Sequence, residues 1–279
     1  MILEKTIKKA SEVLKKNSIS THDLDAQIIL SDIMGIEREA LITNDELNIS
    51  KKILEKYDFA IKRRIKREPV AYITGKKEFW SVNFEVNRST LVPRPETEIL
   101  IYKIVDLLKN KKINILDIGT GSGCVLLSIL KELKFSTGTG IDISKKAIKI
   151  AKKNAINLNL FRRTKFKVLD FQKYNHGKFD LIVSNPPYIA SKDIKNLSKD
   201  ITYYEPKIAL DGGVDGLDLI KKVIYKSNYL LKRNGLLALE IGFGQYKEVT
   251  NLLKRCNFRE KTKEYDNNRN IRCIISAKL

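Results

Sequence analysis

Ile113-Asn114-Ile115-Leu116-Asp117-Ile118-Gly119-Thr120-Gly121-Ser122-Gly123 is the stretch that decides how the chain is read. An apolar run too short for an independent helix breaks into three glycines within five residues, and Leu126, Leu127 and Leu130 follow at helical spacing. Strand, glycine turn and helix in that order begin the alternation that builds a parallel sheet with helices on both faces.

The alternation continues to the end of the chain. Thr139-Gly140-Ile141 closes a second strand at Asp142, and Ala147, Ile150, Ala151 and Leu158 mark the next helix. Phe166 to Leu169 is a third strand that ends at Asp170-Phe171, and Phe179 to Ser184 is a fourth. Asn185-Pro186-Pro187-Tyr188 must stop that fourth strand, because proline has no N–H for a ladder and holds the residue before it extended. Residues 217–232 read as a helix, Gly235 to Gly242 as a fifth strand, and 258–265 and 271–277 as two more. The expected fold is α/β, with a mostly parallel seven-stranded sheet.

Ahead of the alternation, Leu3, Ile7, Ala10 and Leu14 recur at helical spacing, as do Ile53, Tyr57, Ala60, Ile61 and Ile65. Thr21-His22-Asp23 offers capping groups before Leu24, Ile28 and Ile29. Residues 1–67 therefore read as a small helical bundle, ended by Pro69. Residues 70–87 read as a hairpin, with Gly75-Lys76 as a turn signal and alternation through Trp80, Val82, Phe84 and Val86. Pro95 and the glutamates beside it suit the start of a helix carrying Ile99, Leu100, Ile104 and Leu107. The expected division is a helical docking domain over 1–68, a hairpin linker over 69–92 and a catalytic domain over 93–279.

Composition narrows the classes. No apolar run approaches the roughly 20 residues a membrane span needs, and the N-terminal residues lack a signal-peptide core. The expected location is the cytoplasm. Three scattered cysteines and two histidines argue against a disulfide framework, a zinc site or a histidine-based triad. The net charge of +20 makes nucleic acid or another acidic partner a candidate. The lysines are nevertheless spread along nearly the whole chain, as compositional drift and surface solvation also produce, so charge alone does not choose the substrate.

The strand ends carry the chemistry. In open α/β sheets ligands sit beyond the carboxyl ends of the strands, near the reversal of strand order. The glycine turn permits close backbone approach and offers N–H groups at a helix start. Asp142 has the spacing of an acid that accepts from ribose hydroxyls, while Asp170 and Phe171 offer an acceptor and a ring for a base. A nucleoside-containing cofactor follows. The third glycine comes one residue early for a dinucleotide fingerprint, with Cys124 standing where that pattern needs glycine. At the fourth strand, Asn185 Oδ1 and the Pro186 carbonyl can accept both N–H bonds of a planar NH2 group, and Tyr188 can pack on its plane. Group transfer to such a nitrogen needs positioning and electrostatics more than a general base.

The G-x-G-x-G turn after Leu116-Asp117 resembles motif I of class I S-adenosylmethionine-dependent methyltransferases. Asn-Pro-Pro-Tyr resembles the motif shared by methyltransferases of adenine, of guanine N2 and of protein glutamine. The flanking segments choose among these: Pro69 to Gly75 with Glu78-Phe79-Trp80, Leu91 to Glu98, Ser184 to Ile189, Glu205-Pro206, Ala209 to Leu217, and Leu239 to Gly242 with Gln245. Over nearly the whole chain they resemble the PrmC/HemK family of peptide chain release factor glutamine N5-methyltransferases. The resemblance implies that Gly119, Thr120, Gly121, Ser122, Gly123, Asp142, Asp170, Phe171 and Asn185 contact S-adenosylmethionine, released as S-adenosylhomocysteine. It implies that Asn185, Pro186, Pro187 and Tyr188 hold the glutamine of a release factor Gly-Gly-Gln loop, with Asn185, Pro186 and Tyr188 catalytic. No membrane and no nucleic acid are then required; methylation of an exocyclic amine in nucleic acid is the alternative. Arg94 either lines the entrance or anchors its loop, and Glu205 and Asp211 order a lid. Two positions depart from the pattern: Phe171 stands where the family often has Trp, and Tyr265 to Asn270 lacks the expected glycine.

Overall fold

The computed structural model describes residues 2–43 and 47–279. The chain divides into two compact units, Met1–Lys76 with Ser198–Tyr204, and Lys77–Leu197 with Glu205–Leu279. The first unit ends beyond the expected boundary at residue 68 and takes in a segment from far along the chain; the hairpin belongs with the sheet.

The first unit is helical: α1 (Leu3–Lys16), α2 (His22–Met34), α3 (Arg38–Thr43), α4 (Lys51–Ile65) and α5 (Val70–Thr74). Leu3, Leu14, Ile29, Leu30, Tyr57 and Ile61 meet in its core, so the helical periodicity of the sequence is the periodicity of burial. Ser50 caps α4 by accepting from the Ile53 N–H. Thr21 does not cap α2; its hydroxyl donates to Asp25 Oδ2 at 2.8 Å. Arg64 is buried, with Nε 2.7 Å from Asp25 Oδ2 and Nη1 2.8 Å from Asp200 Oδ2, so Asp200 of the returning segment shares its charge.

Residues 70–74 correct the expected hairpin. Pro69 precedes one helical turn that stops at Gly75, whose φ of +76° makes it a C-cap and not a strand turn. The hairpin itself is shorter, β1 (Lys76–Phe79) and β2 (Val82–Glu85). Its turn residues Trp80 and Ser81 both have positive φ, +53° and +52°, the conformation whose twist suits a two-residue hairpin. The Trp80 N–H donates to Glu98 Oε1 and its indole N–H to Glu132 Oε1, both at 2.9 Å, which holds a turn without the usual glycine.

The second unit continues with α6 (Thr97–Leu108), β3 (Asn114–Ile118), α7 (Cys124–Glu132), β4 (Thr137–Asp142), α8 (Lys145–Asn157), β5 (Thr164–Val168) and β6 (Phe179–Ser184). After the first unit's helix α9 (Lys199–Tyr204) come α10 (Asp218–Leu230), β7 (Leu231–Glu240), α11 (Tyr246–Arg255), β8 (Phe258–Tyr265) and β9 (Ile271–Lys278). Seven strands form one sheet in the order β5-β4-β3-β6-β7-β9-β8. β3 to β7 are parallel, and β9 runs antiparallel between β7 and β8. Leu181 and Val183 face Leu100, Ile104 and Leu126 in one core, whereas Ile182, Leu237 and Leu239 join Ile220, Val223 and Val249 in the other. Burial on both faces explains why these strands read as continuous apolar runs. The β8–β9 turn manages without glycine: Arg269 has φ +62°, and Asp266 Oδ1 accepts from the N–H groups of Asn268 and Asn270.

Arg64→Ala strands the Asp25 carboxylate in the helical core. The expected loss is about 3 kcal/mol, read as a lowered denaturant midpoint for the helical transition, and Arg64→Lys should recover part of it.

Candidate active site

Strand order reverses between β3 and β6, whose register aligns Ile118 with Ser184. The connections that leave these two strands diverge, and the opening between them is a cavity of about 550 Å³, within the size range of cofactor sites. Gly119, Thr120, Gly121, Ser122, Asp142, Asp170, Phe171, Asn185, Pro186 and Pro187 line it. Gly123 and Tyr188 do not.

The glycine turn works by shape. Gly119 N–H and Thr120 N–H both donate to the Ile141 carbonyl, Gly123 N–H donates to the Thr120 carbonyl, and Gly121 N–H donates to Asp142 Oδ2. Four of five amides are thus engaged inside the protein, so the expected array of free N–H groups is not what the turn presents. Gly119 has φ +75°, and a Cβ there would project into open space, which leaves room for a ligand against the backbone. Gly123 serves packing: its Cβ would sit 3.1 Å from Leu127 Cδ1 and 3.2 Å from Ala151 Cβ, where α7 meets α8.

Three carboxylates stand at successive strand ends. Asp142 accepts from Ser144 N–H at 2.8 Å and Gly121 N–H at 2.9 Å, and keeps acceptor capacity on both oxygens. Burial raises its pKa, while the N–H bonds oppose the shift. Asp170 caps the turn Phe171–Lys173 through Oδ1, accepting from Gln172 N–H at 3.0 Å, beside the half-buried ring of Phe171. Asp117, which the sequence marked only as the acid of the Leu116-Asp117 pair ahead of the glycine turn, also lines the cavity. It is buried, accepts from the Thr120 hydroxyl at 2.6 Å, and is pushed by burial up to about 7, with Asp142 adding to the rise. Its signal was an acid among apolar strand residues, where an unpaired charge is costly unless it has a task.

At the end of β6, Ser184 is buried and donates to the Ile118 carbonyl at 2.8 Å, clamping the two strands where they part. Asn185 Nδ2 donates to Thr97 Oγ1 at 3.2 Å. No described residue donates to Asn185 Oδ1 or to the Pro186 carbonyl, so both acceptors are left to the cavity. Tyr188 turns its hydroxyl to Glu240 Oε1 at 3.3 Å, and burial with the Glu240 charge raises its pKa. Gln245 fixes the ledge from behind, donating to the carbonyls of Tyr188 and Gly216 at 3.0 and 3.2 Å while accepting from Gly242 N–H.

Arg94 does both things proposed for it. It lines the cavity, and its Nη2 lies 2.5 Å from Oε1 of buried Glu205, whose Oε2 accepts from Val92 N–H at 3.1 Å. Asp211 takes the Ser191 hydroxyl and Gly213 N–H on Oδ1, ordering the loop beside the ledge. Thr97 and Glu240 were missed as site residues because the bonds that Thr97 makes to Asn185 and to Glu240 are purely tertiary.

Room at Gly119, acceptors at three strand ends and a ring at Phe171 fit S-adenosylmethionine: carboxylates for hydroxyl and ammonium donors, an apolar wall for a base. Fold and site define a class I S-adenosylmethionine-dependent methyltransferase. The family described as Methyltransferase domain matches residues 109–240, and the one described as PrmC N-terminal domain matches residues 5–75. Solved structures share the fold at low identity: the hMettl16 catalytic domain in complex with the MAT2A 3'UTR hairpin 6 aligns at 15% identity, TM-score 0.58, over 84% of each chain. A methyltransferase from Pyrococcus furiosus aligns at 17% identity, TM-score 0.54, over 78% of this chain and 98% of its own. Much nearer are release factor glutamine methyltransferases. That of Caulobacter vibrioides is 34% identical over 96% of this chain and 94% of its own. That of Clostridium acetobutylicum is 39% identical over 92% of each, and that of Buchnera aphidicola from Schizaphis graminum is 41% identical over 92% and 90%. The chain belongs to the release factor glutamine methyltransferase family.

Two binding outcomes follow from the acids. Asp142→Ala is expected to weaken S-adenosylhomocysteine binding roughly tenfold to a hundredfold in titration calorimetry. Affinity for the cationic S-adenosylmethionine should fall as pH is lowered through about 7, because Asp117 becomes neutral there; Asp117→Asn should flatten that dependence.

Proposed function

We propose that the glutamine side chain enters beside the ledge with its NH2 group accepted by Asn185 Oδ1 and the Pro186 carbonyl. The activity itself is S-adenosylmethionine-dependent methylation of a glutamine side chain in peptide chain release factors. S-adenosylmethionine supplies an electrophilic sulfonium methyl and leaves as S-adenosylhomocysteine. An amide nitrogen is a poor nucleophile because its lone pair is delocalised into the carbonyl. Two acceptors on its hydrogens draw the protons outward, raise electron density on nitrogen and fix where the lone pair points. Pro186 and Pro187 keep the acceptors from moving, since neither ring allows its φ to change. Preorganised acceptors of this kind stabilise the charge that develops on nitrogen during transfer, and the spare proton is lost to solvent afterwards.

The observation that carries this reading is a pair of unpaired acceptors on a rigid ledge, lining the same cavity as Asp117, Asp142 and Phe171. We assign the modified atom as the glutamine N5 nitrogen and the target as a Gly-Gly-Gln loop, whose two glycines let a glutamine reach a recessed site. Pro187 completes the wall beside the acceptor, and Tyr188 supports the ledge through Glu240. The helical unit is assigned to docking the release factor. No helix of the described residues is long and apolar enough to cross a membrane, and the site of action is assigned to the compartment of translation.

Mass spectrometry of a release factor incubated with enzyme and S-adenosylmethionine should find one added methyl on the loop glutamine. Label transfer to RNA or DNA in place of the protein would favour the nucleic-acid reading. Asn185→Ala should reduce turnover by roughly a hundredfold or more while S-adenosylhomocysteine still binds.

A further inference from the structure

Asn185 is the outer member of a buried chain of hydrogen bonds. Its Nδ2 donates to Thr97 Oγ1 at 3.2 Å, the Thr97 hydroxyl donates to Glu240 Oε2 at 2.6 Å, and Glu240 Oε1 accepts from the Tyr188 hydroxyl at 3.3 Å. Thr97 and Glu240 are 3% and 2% exposed, so the chain runs from the cavity, which Thr97 and Asn185 both line, into the protein interior. The chain links the first residue of α6, the last residue of β7 and the ledge after β6.

Counting protons fixes its direction. An ionised carboxylate only accepts, so Glu240 takes the single proton of the Thr97 hydroxyl. The Thr97 oxygen is then left with lone pairs alone on the side of Asn185. Only the NH2 end of the amide can meet it; the reversed amide would set oxygen against oxygen. We propose that Thr97 and Glu240 are positioning residues that lock the Asn185 amide with Oδ1 toward the acceptor glutamine. This rests on the reading that Oδ1 accepts from the substrate NH2, since a reversed amide would present NH2 to NH2.

The lock has a condition. A protonated Glu240 can donate to Thr97, whose own proton is then free to turn toward Asn185, and the reversed amide becomes acceptable. Burial pushes Glu240 up to about 6, opposed by the Thr97 and Tyr188 bonds and by Arg272, and reinforced by Glu96. The other groups facing it are the thiols Cys124 and Cys273, which burial keeps neutral. Arg94 bears on Tyr188, and Asp117 on Cys124. The sign is therefore set: Glu240 is ionised and the lock closed above about pH 6, and the lock opens as pH falls through that value. Asp117 titrates nearby, so turnover is to be measured at saturating cofactor, where its effect on binding drops out.

The test is steady-state methylation of a release factor. Thr97→Val keeps the shape and removes the hydroxyl, leaving Asn185 Nδ2 without its acceptor in the active orientation. The expected result is kcat reduced roughly tenfold to a hundredfold, with KM for the release factor and affinity for S-adenosylhomocysteine little changed. Thr97→Ser should restore most of the lost turnover. Should Thr97→Val not fold, Thr97→Ala carries the same expectation. In the unmodified chain kcat should decline below about pH 6, and Glu240→Gln, which has no proton to gain, should flatten that decline. Turnover within about threefold of the unmodified chain in Thr97→Val, while Asn185→Ala is inactive, overturns the lock and leaves the substrate reading standing. An active Asn185→Ala overturns the substrate reading itself. An acid decline that persists unchanged in Glu240→Gln overturns the part given to Glu240.

Discussion

The site depends on how the end of β3 is shared. Ile118 pairs with Ile141 of β4 on one side and with Ser184 of β6 on the other, so three parallel strands end level with one another. The connection after β3 leads toward one layer of helices and the connection after β6 toward the other, which opens a gap between them. That gap is the cavity, and each strand places one functional group at its rim: Asp117, Asp142 and Asn185. Sheet register therefore sets distances that no single loop could hold.

Burial is the second constraint. Asp117 and Glu240 sit in surroundings that disfavour charge, and their pKa values rise to about 7 and about 6. Each is answered by a threonine hydroxyl, Thr120 and Thr97, at 2.6 Å. A short hydroxyl bond to a desolvated carboxylate is directional in a way that a solvated ion pair is not. Thr120 ties an acid to the glycine turn, whereas Thr97 ties an acid to the ledge. In this way two sides of the cavity are each anchored to the core by a buried carboxylate.

Much of the fold was legible because the strands are apolar over whole runs and the helices between them carry regular stripes. The five parallel strands and the final two fall where periodicity places them, within a residue or two at most ends and four at the start of β7. The hairpin was overextended: Val70 to Thr74 has strand-like composition, yet Pro69 and Gly75 bracket it as a single helical turn. β-Branched and aromatic residues favour strands only where a neighbouring strand exists to pack on, and five residues are too few to decide between the two. The glycine turn was placed correctly and its amides were not, since their partners on Ile141 and Asp142 lie about twenty residues away.

What the sequence determined by itself was local: where strands stop, where glycine permits close approach, and where Pro186 and Pro187 stiffen the backbone after Asn185. These follow from steric limits on one or two residues and need no partner. Tertiary structure decided the rest. It removed Gly123 and Tyr188 from the cavity wall, brought Asp117 into it, and joined Thr97 to Asn185 and to Glu240 across separations of 88 and 143 residues along the chain. Hydrogen bonds of that span carry no periodicity and no spacing rule. They exist only once the sheet has closed and brought the ends of β6 and β7 against the start of α6.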